Sequence, residues 1–281
     1  MSDVRKFFTS RFPGGRILEL DFSQLEIYAL AYLSNDEMLR KDLLSGADLH
    51  GISATNLFGP KYTKEQRKIA KQLSFQLQYG AGYKSMAATN NVSEETTKKF
   101  IKVYYDRYKG VKKFQDDLME KVASLRETSD ERTTSGKPAG IATLKSLTGR
   151  RYTFKETDAP DWAAMDTSFS PTQIKNFPVQ GFATGDIVPL VLGKLYRFLV
   201  ENDQKYRGTV LMINTVHDSV VFDCMNEKLA KDFALEAQRI MEDAPRYLNE
   251  YFEIDFDMPL KVEAEIGPNW HDMKPYDPVP F

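Results

Sequence analysis

In RKIAKQLSFQLQYG, four residues with chemistry to offer recur at intervals of four: Arg67, Lys71, Phe75 and Tyr79. In a helix they share one face, drifting about 40° per step over about 18 Å. Ile69, Leu73 and Leu77 form a second stripe, about 200° away, that suits a core. Cations followed by aromatics are thus turned away from the core. The cations can neutralise a phosphate chain, and the rings can pack on a sugar or base. The length suits a nucleoside triphosphate laid along the helix. An amphipathic helix whose rings touch a neighbouring element accounts for the spacing equally well. His50, in GADLHG, is a further candidate phosphate partner.

A second pair of ionisable groups interrupts LMINTVHDSVVFDC, where His217 and Asp218 stand between apolar, β-branched runs. Each run reads as a strand. A two-residue break predicts a hairpin, and Asp tolerates the left-handed backbone of a tight turn. The pair would then stand at the rim of a sheet, although a polar surface turn has the same composition.

The elements that must position these groups follow from periodicity. Residues 17–20 read as a strand ending at Asp21, and residues 24–39 as a helix. Residues 63–79 form a strong helix, opened by Thr63 and closed near Gly80. Residues 93–125 read as one or two helices with Gly110 as the break, and 126–140 as a polar loop. Strand signals return at 142–147 and 151–154, then helices at 172–201 and 227–250, flanking the hairpin. The order implies an α+β chain, a sheet interrupted by a helical insertion.

Composition narrows the setting. The 281 residues are 28% charged and 42% hydrophobic, ordinary for a globular protein. No apolar run approaches 18 residues, and the first residues lack a signal-peptide core. The single cysteine, Cys224, excludes an internal disulfide and a cysteine-based zinc site. A reducing, cytoplasmic setting fits. The net charge of −2 argues weakly against nucleic acid, but its distribution does not. Residues 61–113 carry 13 Lys/Arg against 4 Asp/Glu, whereas residues 223–281 carry 6 against 14. A basic segment beside an acidic one suggests a polyanion site.

Three blocks in order carry a resemblance to a known family. LELDFSQLEIYALAYLS is similar to motif A of family A DNA polymerases, the family of bacterial DNA polymerase I. RKIAKQLSFQLQYG matches motif B, Arg-x3-Lys-x3-Phe-x3-Tyr-Gly, at every defined position. TVHDSVV resembles motif C, normally His-Asp-Glu on a palm hairpin. DLHGISATNLFG, TLKSLTGRRYTF, NFPVQGFATGDI and IGPNW extend the likeness over residues 4 to about 272.

The resemblance implies a right-hand architecture: a palm of antiparallel sheet with helices, interrupted by helical fingers, with thumb and exonuclease domains absent. Residues 1–34 and 150–281 would be palm, and 35–149 fingers. Asp21 and Asp218 would meet and hold two Mg²⁺ ions for template-directed DNA synthesis, with Lys71 assisting catalysis. His50, Arg67, Lys71, Phe75, Tyr79, Gln24 and Glu26 would bind the dNTP, Tyr79 and Glu26 walling off the sugar 2′ position. Asn176, Gln180, His217 and Ser219 would contact primer–template DNA.

The sequence departs from the family at three positions. Ser219 replaces the usual Glu, predicting reduced or retuned activity. Tyr28 and Thr172 each replace a usual Arg, weakening the grip on template or primer. The match also starts near Met1, so that the first palm strands are missing. That predicts an unpaired edge on the strand ending at Asp21 and an exposed apolar palm face. Thumb, exonuclease and early palm would come either from the rest of a larger polymerase chain or from a protein partner, as in a split polymerase of a phage-infected or bacterial cytoplasm. Two other readings compete: a catalytically degenerate DNA-binding scaffold, and a terminal transferase or RNA-making relative, which Glu26 disfavours.

Overall fold

A computed structural model describes residues 3–160 and 164–277. After a short 3-10 turn at Asp3–Phe7 come strand β1 (Arg16–Phe22) and seven helices: α1 (Leu25–Ser34), α2 (Glu37–Leu44), α3 (Leu49–Phe58), α4 (Lys64–Gln78), α5 (Tyr83–Asn90), α6 (Glu94–Arg107) and α7 (Lys109–Ser124). A hairpin, β2 (Ile141–Lys145) and β3 (Arg151–Lys155), precedes the small pairing of β4 (Thr157–Asp158) with β5 (Thr167–Ser168). Helix α8 (Pro171–Gln180) runs through a π-helical stretch, Gly181–Ile187, into α9 (Val188–Glu201), followed by the short α10 (Asp203–Tyr206). Next are β6 (Val210–Val216), β7 (Ser219–Cys224), α11 (Glu227–Glu242), α12 (Ala244–Phe252), β8 (Val262–Gly267) and β9 (Lys274–Tyr276). Of the tail 274–281, residues 278–281 lie outside the described residues.

Packing divides the chain into two units, one of Met1–Glu26 with Ala183–Phe281 and the other of Ile27–Phe182. The first is built on an antiparallel five-stranded sheet in the order β6-β7-β1-β8-β9. Side chains alternate along β1, so Leu18, Leu20 and Phe22 face one way and Ile17, Glu19 and Asp21 the other. The Leu18 face is covered by α11, whose Ala230, Phe233, Ala234, Ala237 and Met241 are all buried at helical spacing. Phe222 on β7, opposite Leu18, meets Phe233 edge-on at 4.8 Å between ring centres. Each fully buried Leu or Phe of this layer is worth about 1.5–3 kcal/mol.

This arrangement corrects two expectations. Strand β1 has no free edge, because β7 and β8 pair with it on either side. Around Glu19 and Asp21 its other face is acidic rather than apolar: the register sets Ser219 on one side and Glu263 and Glu265 on the other. The strand β8 that closes the gap lay unread in the sequence. The hairpin forms as expected, but His217, at φ 56°, takes the left-handed position in place of Asp218.

The second unit is helical apart from its β strands. Helix α4 starts in a capping box: Thr63 Oγ1 accepts from the Gln66 amide (3.2 Å), and Gln66 Oε1 accepts from the Thr63 amide (2.8 Å). Ala70, Leu73, Ser74 and Leu77 are its buried stripe, with Ile69 at the margin. Gly80, at φ 77°, ends it in the left-handed conformation that glycine permits.

The break in 93–125 comes at Tyr108, whose ψ of 68° leaves the helical range. Gly110 instead sits in the first turn of α7, where an added Cβ would lie 2.8 Å from Asp36 Cα. The expected helix 24–39 also divides, at Asn35 with φ 47°. Leu118, Val122, Ala142, Leu144, Tyr152, Phe154 and Ile174 form one cluster joining α7, the β2–β3 hairpin and α8. That cluster spans residue 149 and lies wholly within the second unit, Ile27–Phe182.

Candidate active site

The register of β1 and β7 brings the first two candidates together. Asp21 lies opposite Ser219, and the Phe22 amide donates to the Asp218 carbonyl at 3.3 Å. Asp21 and Asp218 line a pocket of about 350 Å³ with Glu19, Glu263, Glu265, Val216, His217, Ser219 and Arg5. Partial desolvation, then the negative charges of Asp218, Glu19 and Glu263, push the Asp21 carboxyl up to about 7. Desolvation raises Asp218 as well.

Two carboxylates that resist joint ionisation are stabilised by a cation between or beside them. Their hard oxygen donors fit Mg²⁺, which takes one or two protein carboxylates and keeps positions for phosphate and water. No cluster of three His, Cys, Asp or Glu with metal-binding geometry occurs among the described residues. Asp21 and Asp218 could supply part of a coordination shell.

Glu19, missed in the sequence, ties this pocket to its surroundings. Its Oε1 accepts from Ser219 Oγ and its Oε2 from Trp270 Nε1, both at 2.9 Å. Ser219, expected among the DNA contacts, is 5% exposed, and its hydroxyl is engaged inside the sheet. Glu263, equally unread, accepts from Ser23 Oγ at 2.6 Å. Only the alternation of Glu263 and Glu265 with Val262, Ala264 and Ile266 could have signalled this strand.

The second unit assembles the other expected group. Lys71 is exposed on α4, its Nζ 5.7 Å from the centre of the Phe75 ring. The His50 ring, on α3, lies 5.6 Å from that of Phe75. Burial, then the charges of Lys71 and Arg67, hold the His50 imidazole below its usual range, and its buried Nδ1 has no partner among the described residues. Arg67 donates from Nε (3.1 Å) and an Nη (2.8 Å) to the two carboxylate oxygens of Asp48. Tyr79 caps the C-terminus of α4, its amide donating to the Phe75 carbonyl at 3.0 Å. A cationic and aromatic surface around a neutral imidazole is suited to a nucleotide's phosphates and ring.

The remaining candidates are scattered. Asn176 Nδ2 donates to Gln180 Oε1 at 3.2 Å, one turn along α8. Gln24 adopts φ 61° just before α1, and Glu26 occupies the first turn of that helix. Tyr28 is buried. Thr172 Oγ1 donates to the Gly80 carbonyl at 3.4 Å.

The fold is that of a polymerase domain. It is similar to the POL domain of Pol1 from M. smegmatis, solved in complex with DNA primer-template and dNTP, with a TM-score of 0.72 and 22% identity over 95% of this chain and 42% of that one. The chain belongs to DNA polymerase family A, whose sequence profile matches residues 1–272. It is 30% identical over 273 residues to DNA polymerase I of Helicobacter pylori (strain ATCC 700392 / 26695), covering 96% of this chain and 27% of that protein. To the DNA polymerase of Bacillus phage SP01 it is 31% identical over 281 residues, covering 96% and 28%. The chain thus spans little more than a quarter of the length of these relatives.

Proposed function

We propose that this chain performs template-directed DNA synthesis, transferring deoxynucleotides from dNTPs to a primer 3′-hydroxyl. The observation that carries this reading is the Asp21–Asp218 pair on β1 and the β6–β7 turn, in a chain of this family. Asp21 and Asp218 would hold two Mg²⁺ ions, with substrate oxygens and water completing the shells. When bound, Mg²⁺ lowers the pKa of the attacking hydroxyl and neutralises the leaving pyrophosphate. The sheet unit takes the role of palm, and the helical unit that of fingers.

The chain's own residues contribute by binding and orientation. Lys71 and Arg67 neutralise the triphosphate, Lys71 also offsetting charge that develops in transfer. His50, neutral at pH 7, offers the same phosphates a hydrogen bond. Phe75 packs on the incoming sugar and base, and Tyr79, Gln24 and Glu26 discriminate its sugar. Asn176, Gln180 and His217 hydrogen-bond the primer–template.

Basic charge concentrated in residues 61–113 of a chain with net charge −2 offers limited neutralisation of duplex phosphates. We therefore assign some of the primer–template grip to polypeptide beyond these 281 residues, in the same or a partner chain, in a bacterial or phage-infected cytoplasm.

The test is Mg²⁺-dependent primer extension, with that further polypeptide supplied. Asp21→Ala and Asp218→Ala should each lower the rate by about 10³-fold or more, roughly 4 kcal/mol, with circular dichroism unchanged. Extension by either variant at near wild-type rate would remove the metal assignment.

A further inference from the structure

Strand β1, which carries Asp21, and strand β7, which begins directly after Asp218, are bridged by one side chain outside that acidic pair. Glu19 stands two residues before Asp21 on the same face of β1. Ser219, directly after Asp218, is its partner at 2.9 Å, and Trp270 Nε1 holds its other oxygen at the same distance. Trp270 is itself fixed: its amide donates to the Phe8 carbonyl (3.0 Å), Phe8 packs edge-on against its ring (5.5 Å), and Arg5 lies 4.6 Å from the ring centre. The indole is 8% exposed and clusters with Ile17 and Val221.

Each element of this arrangement removes a freedom. A turn residue such as Asp218 would otherwise move with the hairpin tip, whose β6 side is exposed at Ile213, Asn214 and Thr215. The Ser219–Glu19 bond ties the residue next to Asp218 to the strand that bears Asp21. The Trp270–Glu19 bond stops the carboxylate from rotating away with Ser219. Charge-assisted hydrogen bonds of this kind are about twice as strong as neutral ones.

We propose that Glu19, clamped between Ser219 and Trp270, is a positioning residue that sets the separation of Asp21 and Asp218 and thereby their affinity for divalent cations. The proposal rests on the nucleotidyl-transfer reading above, and assigns Ser219 a task in the protein rather than on the DNA. Glutamine keeps both bonds, its carbonyl accepting from Trp270 while its amide donates to the Ser219 hydroxyl. Alanine keeps neither, and Ser219→Ala removes one.

Three variants of the full chain, Glu19→Ala, Glu19→Gln and Ser219→Ala, are compared with wild type by electron paramagnetic resonance of bound Mn²⁺. Amide hydrogen exchange, thermal melting and the kcat and KM for dNTP accompany it. Glu19→Ala should weaken Mn²⁺ binding at least tenfold and lower kcat, with KM for dNTP within twofold of wild type. Glu19→Gln should stay within threefold of wild type on every measure, and Ser219→Ala should fall between. Exchange at the Phe22 amide, which bonds to the Asp218 carbonyl, should accelerate in the same order.

Wild-type Mn²⁺ affinity in Glu19→Ala, or a loss in Glu19→Gln as large as in Glu19→Ala, would overturn the proposal, the latter by making charge the operative property. Should Glu19→Ala melt before it can be measured, Ser219→Ala and Glu19→Gln still decide. Failure of the underlying reading looks different. Wild type and Asp218→Ala would then bind Mn²⁺ equally, while the exchange order at Phe22 would still report whether Glu19 positions the pair.

Discussion

Asp48 and Arg67 are joined through both carboxylate oxygens, at 2.8 and 3.1 Å, with both side chains near half exposed. The guanidinium proposed to meet the triphosphate is thus shared with the Asp48 carboxylate. An exposed pair of this kind is worth about 1 kcal/mol or less, so a triphosphate can displace Asp48. Asp48→Asn should lower the KM for dNTP by about two- to fivefold, in line with that energy. Steady-state kinetics would show it. A rise in KM would mean that Asp48 orients Arg67 rather than competing for it.

His50 titrates below the usual 6.5 because it is buried and faces Lys71 and Arg67. The unfolded chain therefore binds more protons at this site as pH falls below 6.5, and the group's contribution to stability is lost as pH drops through its folded value. Proton NMR of the C2 resonance should place the midpoint below 6.5. Addition of a non-hydrolysable dNTP should raise it, because phosphate charge offsets the two cations. An unmoved midpoint would exclude His50 from the phosphate site.

Lys71, more exposed than Arg67, is proposed to act on both nucleotide binding and transfer. Lys71→Ala is expected to raise the KM for dNTP and to lower kcat. Single-turnover extension over a dNTP series separates the two effects. A change in KM alone would confine Lys71 to ground-state binding.

Glu156 tests the integrity of the helical unit. It is 2% exposed and accepts from Arg126 (2.8 and 2.9 Å), the Gly140 amide (2.7 Å) and Thr167 Oγ1 (3.0 Å). The Arg126 bond, ahead of the opposing effect of burial, holds its carboxyl below the ordinary range. Its contribution is therefore complete above the unfolded value of 4.5 and disappears as pH falls through the lower folded value. Glu156→Gln should cost about 1–3 kcal/mol at pH 7, with a smaller difference from wild type at pH 3–4. Urea unfolding at both pH values measures it.

Gly110 gives a purely steric prediction. Its amide donates to Asp36 Oδ2 at 2.6 Å, and a Cβ there would meet Asp36 Cα. Gly110→Ala should destabilise the chain by about 1–3 kcal/mol through overpacking, although alanine is the better helix former. Equal or higher melting temperature would show that the turn yields without cost.

What was legible in the sequence was what local physics determines. Helix α4 could be read because Thr63, Gln66 and Gly80 mark its ends and its apolar residues recur at helical spacing. The β6–β7 hairpin could be read from β-branched runs around a two-residue break. The meeting of Asp21 and Asp218 came from family resemblance, since nothing local joins residues 197 positions apart. Glu19, Trp270 and β8 remained hidden for the same reason: each acquires its meaning from partners about 200 or more residues away. Gly110 looked like a helix breaker because composition cannot distinguish a flexible residue from one that another backbone must approach.

The alternation along β1 separates two kinds of selective pressure within seven residues. Leu18, Leu20 and Phe22 answer to the layer beneath them, whereas Asp21, on the proposed reading, answers to a ligand and is crowded by the carboxylates of its own neighbours. An Asp21→Asn protein, relieved of one crowded charge, should therefore melt at the same temperature as wild type or higher while remaining inactive. Such a chain would be a durable dead-end binder of primer and nucleotide, able to occupy a replication site without extending it.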